Sequence, residues 1–332
     1  MIKKVVKTAY PQDAVFYKSN GTYCPEFVEI CRMDVPTLKE HLTKTLVNNG
    51  YRVYSADKWV FALGSDVLLT AHMDTVHKEL VDEIVEYEKD GKHFITSPQG
   101  IGGDDRCGIY MILKVIENGY RPTILFCDEE EIGGIGSREF VSQAEDIEEI
   151  QDVMKSIRFM VELDRANSMD AVYYSCANPD FVQFIDETIS YKEAFGSFSD
   201  IENLMRPYGV AGVNLSCGYY KQHTLDEYVI VEEMMNTLQK TMYLLDSEST
   251  QFEYIEDYFG GTGEYYGFID PYESQYFDVG DVILEIEFPS KKDIYDYDVI
   301  SGKTESEAIG RFLMDHPDLC YEDIYIVDMY HW

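Results

Sequence analysis

The sequence predicts an α/β fold in which a mainly parallel or mixed twisted sheet is flanked by helices, with a small α+β appendage at the C-terminus. Candidate strands alternate with candidate helices up to about residue 248, and this order produces a layered α/β domain. Two of the strands, TILFC at 123–127 and RFMVEL at 158–163, are short apolar runs. Such runs are typical of strands buried on both faces of a parallel sheet.

Within residues 36–97, the sequence predicts one helix, three strands and a hairpin. Residues 36–49 are expected to form the helix, with Pro36 near its start and Gly50 as its stop. The strand candidates are 51–55, 58–63 and 67–71. Lys89-Asp90-Gly91 is typical of a tight turn, so the segments that flank it, 82–88 and 93–97, are expected to pair as a hairpin.

The second part alternates helices with buried strands. A helix is expected from about 105 to 118, ahead of the strand at 123–127. After the strand at 158–163, the predicted elements are helices near 180–190 and 200–207, a strand at 210–216, and a helix at 228–246 whose apolar residues recur at helical spacing.

The composition changes after residue 248, and we divide the chain there. Residues 1–248 are predicted to form the main domain, and 249–280, rich in Tyr, Gly and acidic residues, a linker. Residues 281–332 are predicted to form a small α+β module, with strands at 281–288, 294–300 and 323–329 and a helix at 304–314. This acidic C-terminal part is either a solvated appendage or a module that binds a partner.

Charge and cysteine usage exclude several classes of protein. The chain has 27 Lys+Arg against 62 Asp+Glu, a formal charge of −35, which repels nucleic-acid phosphates and anionic lipids, so neither is expected as a partner. The seven cysteines are scattered without a C-x-x-C pair, which argues against disulfides and thiolate zinc sites. Without a signal peptide or a membrane span in the sequence, we expect a soluble, cytoplasmic protein.

Polar motifs follow several of the predicted strands, at the edge where open parallel sheets bind their ligands. They are TAHMDT at 70–75, GGDDRCG at 102–108, DEEEIGGIGS at 128–137, ELDR at 162–165 and SCGYYKQHT at 216–224. In TAHMDT, His72 and Asp74 are two residues apart, so on an extended backbone Asp74 can hydrogen-bond one imidazole nitrogen and leave the other for a metal. Each motif alone also has a structural explanation, such as a helix cap by Asp104 or Asp105 or a solvated acidic loop.

Taken together and in order, these motifs resemble the co-catalytic dizinc exopeptidases, a superfamily that includes aminopeptidases, peptidase T and zinc carboxypeptidases. The resemblance spans roughly residues 65–245. It implies that His72 and Asp164 hold one divalent ion, that Glu131 and His223 hold a second, and that Asp104 bridges the two. It further implies that Glu130 is the general base, that Asp74 orients His72, and that the peptide bond after Asp104 is cis. Histidine and carboxylate ligands without thiolate suit zinc, although cobalt or manganese could substitute.

The run of three glutamates leaves a question of register. The base and ligand could be Glu129 and Glu130, or Glu130 and Glu131. Members of the superfamily follow this pair with an apolar residue, a glycine, two further residues and another glycine. Ile132-Gly133-Gly134-Ile135-Gly136 matches that pattern if the pair is Glu130-Glu131.

The spacing of the last two motifs bears on the substrate. Only 58 residues lie between Asp164 and His223, too few for the lid domain that carboxypeptidase and deacylase relatives carry there. We therefore expect an aminopeptidase acting on short peptides, in which Glu129 or Asp128 could bind the free amine. Residues 197–200 and 217–220 match regions near the pocket of such relatives.

Two other functions remain open from the sequence. Glutaminyl cyclisation occurs on the same scaffold in other proteins, which typically use one zinc ion. The alternative without catalysis is an acidic interaction protein built on an inactive scaffold. The number of bound metal ions discriminates among them, because two ions per chain favour peptide hydrolysis.

Overall fold

The structure is a computed structural model that describes residues 15–17, 23–196, 198–256, 282–289, 295–302 and 325–331. The strands are β1 (Val15–Tyr17), β2 (Arg52–Ser55), β3 (Trp59–Leu63), β4 (Ser65–His72), β5 (Ile84–Lys89), β6 (Lys92–Thr96), β7 (Pro122–Cys127), β8 (Phe159–Arg165), β9 (Asp170–Val172), β10 (Lys192–Ala194), β11 (Gly212–Ser216), β12 (Tyr219–Tyr220), β13 (Tyr228–Ile230), β14 (Val282–Pro289), β15 (Tyr295–Gly302) and β16 (Tyr325–His331). The helices are α1 (Pro25–Cys31), α2 (Val35–Asn48), α3 (Gly103–Glu117), α4 (Ile135–Ala144), α5 (Glu148–Ser156), α6 (Pro179–Ile189), α7 (Asp200–Tyr208) and α8 (Val231–Asp246).

The main sheet is mixed, with a parallel centre. Within the described ranges it has eight strands in the order β10-β9-β11-β8-β4-β7-β3-β2. The four central strands β11, β8, β4 and β7 run parallel to one another, whereas β3 and β2 pair antiparallel at one side. The predicted α/β fold with a mainly parallel or mixed sheet is therefore confirmed.

Burial explains why the central strands are apolar. Every residue of β7 is buried, as are all but one in β8, and the helices α3 and α7 both pack against β8. The approach of α3 to β8 requires a glycine at position 108, because a Cβ there would lie 2.0 Å from the carbonyl oxygen of Leu163. This close packing brings the start of α3 against the end of β8.

A second sheet contains the predicted hairpin. Strands β5 and β6 pair antiparallel around Asp90 and Gly91, which both have positive φ, 53° and 75°, as a two-residue turn of this kind requires. The sheet continues through β13 and β12. Residues 228–230 thus form a strand, because they pair with β6, and the prediction that the last helix begins at 228 is wrong by three residues.

Three helices, α1, α4 and α5, were not predicted. Helix α4 follows the glycine-rich turn of the acidic motif, and its N-cap residue Gly134 has a left-handed backbone and no capping side chain. A helix that begins in this way lacks the usual start signal of a Ser, Thr, Asp or Asn cap.

The described C-terminal strands form a three-stranded antiparallel sheet in the order β15-β14-β16, which confirms the three strands predicted there. The predicted helix at 304–314 and most of the predicted linker lie outside the described residues. Residues 253 and 256 form isolated bridges to Val210 and Cys176. The predicted domain boundaries remain a prediction. No helix in the part of the chain that the structure describes is long and apolar enough to cross a membrane.

Candidate metal centre

The carboxyl ends of three neighbouring parallel strands carry most of the predicted site residues. They are His72 at the end of β4, Glu130 and Glu131 directly after β7, and Asp164 near the end of β8. Because β4 lies between β7 and β8 and runs parallel to both, these residues meet at one edge of the sheet. Asp104, from the start of α3, and His223, from the loop between β12 and β13, reach the same place.

The carboxylate of Asp104 lies between the two histidines. Nε2 of His72 is 2.9 Å from its Oδ1, and Nε2 of His223 is 3.2 Å from its Oδ2. On the first side, Oδ1 of Asp164 lies 3.4 Å from Nε2 of His72. On the second side, Oε2 of Glu131 lies 3.0 Å from Nε2 of His223. Asp104 therefore joins two groups of polar atoms, and each group contains one imidazole and one further carboxylate.

These residues have the chemistry and the spacing of a metal site. Ligand-type atoms of His72, Asp104 and Glu131 lie within 4.8 Å of one another, as do those of His72, Asp105 and Asp164. Oε1 of Glu131 is buried and has no hydrogen-bond partner among the described residues. Because a buried carboxylate oxygen needs a donor or a cation to compensate its lost hydration, the residues fit divalent ions in this cluster.

The electrostatics of the cluster also favour a cation. Burial, helped by repulsion from Asp104, raises the pKa of Asp164 to about 7 against the attraction of His72. Burial acts against the charged form of both imidazoles, yet the surrounding carboxylates raise the pKa of His72 and His223 above the usual range. Without added positive charge, the carboxylates destabilise one another.

Glu130 and Glu129 have different surroundings. Glu130 is half-buried and lines the cleft together with Asp104, Asp164 and His223. Burial, reinforced by the carboxylates of Asp164 and Asp200, raises its pKa well above the usual range. Glu129 instead places Oε1 2.5 Å from Nζ of Lys58. The geometry thus favours the register in which Glu130 and Glu131 are the functional pair.

Lys58 contacts both Asp128 and Glu129, the two residues expected to bind a substrate amine. Its Nζ lies 3.7 Å from Asp128 as well as 2.5 Å from Glu129. The described residues that line the cleft include Glu130 but neither Asp128 nor Glu129. Both carboxylates already face this lysine, and the hypothesis that one of them binds the substrate amine stays a prediction.

Asp74 connects two parts of the cluster. Its Oδ1 lies 3.3 Å from Nδ1 of His72. The same carboxylate accepts the backbone N–H groups of Glu130, at 3.0 Å, and Glu131, at 3.2 Å. Asp74 therefore contacts the ring of His72 and hydrogen-bonds the loop that carries the two glutamates.

Several further residues make contacts at the site that their sequence motifs do not indicate. Asp105 accepts the backbone N–H of His72 at 3.1 Å, and the peptide bond between Asp104 and Asp105 is cis, as the resemblance implied. Tyr219 donates its hydroxyl to the carbonyl oxygen of Asp164 at 3.0 Å, and Ser199 donates to Oδ2 of the same residue at 3.0 Å. Both hydroxyls belong to segments that were expected near the pocket.

Comparisons with known proteins place this site on a peptidase fold. No protein-family model and no curated protein matches the sequence. Among solved structures, the aminopeptidase PepT from Bacillus cereus ATCC 10987 is 18% identical with a TM-score of 0.52, over 67% of this chain and 96% of that one. A tripeptidase from Staphylococcus aureus is 14% identical with a TM-score of 0.52, over 66% and 95%.

An archaeal structure gives the same result. The aminopeptidase APDkam598 from Desulfurococcus kamchatkensis is 12% identical with a TM-score of 0.52, over 69% of this chain and 97% of that one. The chain therefore has the fold of these peptidases, which confirms at the level of fold the resemblance that the motifs carry.

Proposed function

We propose that the protein is a metal-dependent hydrolase that cleaves peptide bonds, and that it acts as an aminopeptidase on short peptides. The observation that carries this proposal is the position of Asp104, whose two carboxylate oxygens each face a different histidine. A carboxylate between two His/carboxylate groups is the arrangement that two-metal hydrolases need.

The proposed ligand sets follow the two sides of Asp104. His72 and Asp164 would hold one divalent ion, His223 and Glu131 would hold the other, and Asp104 would be a ligand of both. Two zinc ions bound there would supply the Lewis acidity that polarises the scissile carbonyl and lowers the pKa of the attacking water. Cobalt or manganese could replace zinc, because the ligands are imidazole and carboxylate.

Glu130 is proposed as the general base. Its side chain lines the cleft beside the proposed ligands, within the same cavity in which a peptide carbonyl would be attacked. The elevated pKa of Glu130 suits a group that takes a proton from water and passes it to the leaving amine. Asp74 supports both partners of this step, because it contacts the His72 ring and the backbone of Glu130.

The cleavage of short peptides is supported by the chain between Asp164 and His223. The described part of this segment forms β9, α6, β10, α7, β11 and β12, of which β9, β10 and β11 belong to the main sheet. The segment therefore builds the domain itself, and its described residues contain no separate lid domain. Two of the similar structures are named as aminopeptidases and one as a tripeptidase, which agrees with a short substrate.

The proposal is tested by metal analysis combined with an activity panel. Protein loaded with zinc would be assayed on aminoacyl anilides, dipeptides and tripeptides, with and without a chelator. We expect two ions per chain and aminopeptidase activity that the chelator abolishes. One ion per chain with cyclisation of N-terminal glutamine, or no metal and no chelator-sensitive activity, would overturn it.

A further inference from the structure

A buried carboxylate outside the proposed ligand set, Glu227, connects two loops of the metal centre. Its side chain is fully buried (0% exposed). Oε1 accepts the backbone N–H of Asp104 at 3.0 Å, and Oε2 accepts that of Gly102 at 2.9 Å. Oε2 also lies 2.7 Å from Nε2 of His77. Both carboxylate oxygens of Glu227 therefore accept hydrogen bonds from the backbone at the start of α3, and one of them also contacts His77.

The backbone of Glu227 forms hydrogen bonds of its own, one of them to the loop that carries His223. Its N–H donates to the carbonyl oxygen of Thr224 at 3.2 Å, which closes the end of the loop four residues after His223. Its carbonyl oxygen accepts the hydroxyl of Thr96 at 2.5 Å, which ties this end of the loop to β6. One residue thus links the loop that carries His223 to the start of α3, which carries Asp104.

The surroundings leave little space for this link to adjust. A Cβ at Gly103 would lie 2.8 Å from Cβ of Tyr219, 2.8 Å from Cγ2 of Val229 and 3.2 Å from Oε1 of Glu227. Close packing of this kind excludes water that could replace the carboxylate as an acceptor. His223 itself has a φ of 60°, a left-handed conformation that a non-glycine residue holds only when its surroundings fix it.

The two proposed ion positions differ in what fixes them. His72 and Asp164 stand on β4 and β8, which are paired directly in the main sheet, with Thr70 opposite Glu162. His223 and Glu131 both stand on loops. The sheet therefore sets the first pair, whereas the second pair depends on local contacts.

We propose that Glu227 is a positioning residue that fixes His223 relative to Asp104, and so controls binding of the ion held by His223 and Glu131. This inference rests on the proposed function, because it assumes two ions. It predicts an asymmetry: loss of the Glu227 carboxylate weakens binding of that ion more than binding of the ion at His72 and Asp164, which depends on Glu227 only through Asp104.

The test is a zinc titration of the full chain against a competing chelator, comparing the wild type with Glu227→Gln. The amide of glutamine keeps the shape but replaces one acceptor with a donor, which would face a backbone N–H or His77. We expect one of the two zinc ions to bind at least about tenfold more weakly, the usual range for a residue that supports a metal ligand. Glu232→Gln is the matched control, because Glu232 is exposed and pairs with His93 at the surface.

The outcomes separate this inference from the proposed function. The role of Glu227 is supported if Glu227→Gln lowers the affinity for one ion selectively and Glu232→Gln binds both ions normally. The role of Glu227 is overturned if Glu227→Gln leaves both zinc affinities unchanged or lowers both of them equally. If the wild type binds no zinc at all, the proposed function itself fails.

A second variant keeps the test informative if Glu227→Gln does not fold. His77→Ala removes one contact of the Glu227 carboxylate at the periphery of the link and leaves its two backbone bonds. We expect the affinity for the same ion to fall by a smaller factor, and the circular dichroism spectrum to stay unchanged. Unchanged binding of both ions by this folded variant would also overturn the inference.

Discussion

The backbone N–H of Glu130 donates a 3.0 Å hydrogen bond to the carboxylate of Asp74. This bond joins the residue proposed as the general base to the residue that contacts the ring of His72. A substitution at Asp74 is therefore expected to alter the positions of both His72, a proposed metal ligand, and Glu130, the proposed base.

Asp74→Asn tests this connection. One carboxylate oxygen becomes an amide nitrogen, which cannot accept the N–H of Glu130 or Glu131. We expect zinc affinity to fall by about 10–100-fold, as for other residues that orient a ligand, and turnover to fall with it. The control is Asp66→Asn, near the start of β4, where the side chain is exposed and pairs with Arg158. Equal affinities for wild type and Asp74→Asn would contradict the role of Asp74.

The register of the glutamates is tested by a pair of isosteric variants. Glu130→Gln removes the proposed base without removing a proposed ligand. We expect it to bind both ions and to lose turnover by about 10²–10⁴-fold, the range for general-base catalysis. Glu129→Gln should retain most of the activity, because Glu129 pairs with Lys58 outside the cleft. An active Glu130→Gln together with an inactive Glu129→Gln would reverse the register. Steady-state kinetics and metal content decide the matter.

Removal of metal should lower the thermal stability of the protein. The buried carboxylates of Asp104, Glu131 and Asp164 repel one another, and bound cations offset that repulsion. An ion present at 100 times its Kd stabilises the folded state by about 2.7 kcal/mol. We expect the Tm measured by scanning calorimetry to rise with zinc and to fall when a chelator is added. A Tm that zinc leaves unchanged would argue against binding in the folded state.

The contact between α3 and β8 predicts a destabilising substitution. In Gly108→Ala the new methyl group would lie 2.0 Å from the carbonyl oxygen of Leu163, so the backbone must shift. We expect a loss of about 1–3 kcal/mol in the free energy of unfolding, measured by urea denaturation, and a loss of activity as the start of α3 moves. Gln239→Ala, on the exposed side of α8, should change stability by less than about 0.5 kcal/mol. Equal stability of Gly108→Ala and wild type would contradict the close packing.

The difference between what the sequence predicts and what the structure adds has a physical basis. The proposed ligands, His72, Asp104, Glu131, Asp164 and His223, all stand in local motifs next to a strand or a helix start, and the resemblance that those motifs carry together implies their roles. Glu227 could not be found in this way, because its partner Asp104 lies 123 residues away along the chain and the fold alone brings the two together. No spacing in the sequence indicates such a contact.

The errors in the fold have the same origin. Residues 228–230 were assigned to the last helix because their apolar residues continue the apolar pattern of α8, and short apolar runs do not distinguish strand from helix. Pairing with β6 decides the conformation there. The strands of the sheet centre agree with the prediction, since they alternate with helices along the chain and are buried on both faces.

Asp104 is proposed to lie between two metal ions, and anomalous diffraction from crystals loaded with zinc tests that position directly. We predict two zinc peaks about 3.5–4 Å apart, the separation usual in two-metal sites. One peak should be bonded to His72 and Asp164, the other to His223 and Glu131, and Asp104 should contact both. A single peak that Asp104 does not touch, or no peak at this edge of the sheet, would show that Asp104 does not lie between two metal ions.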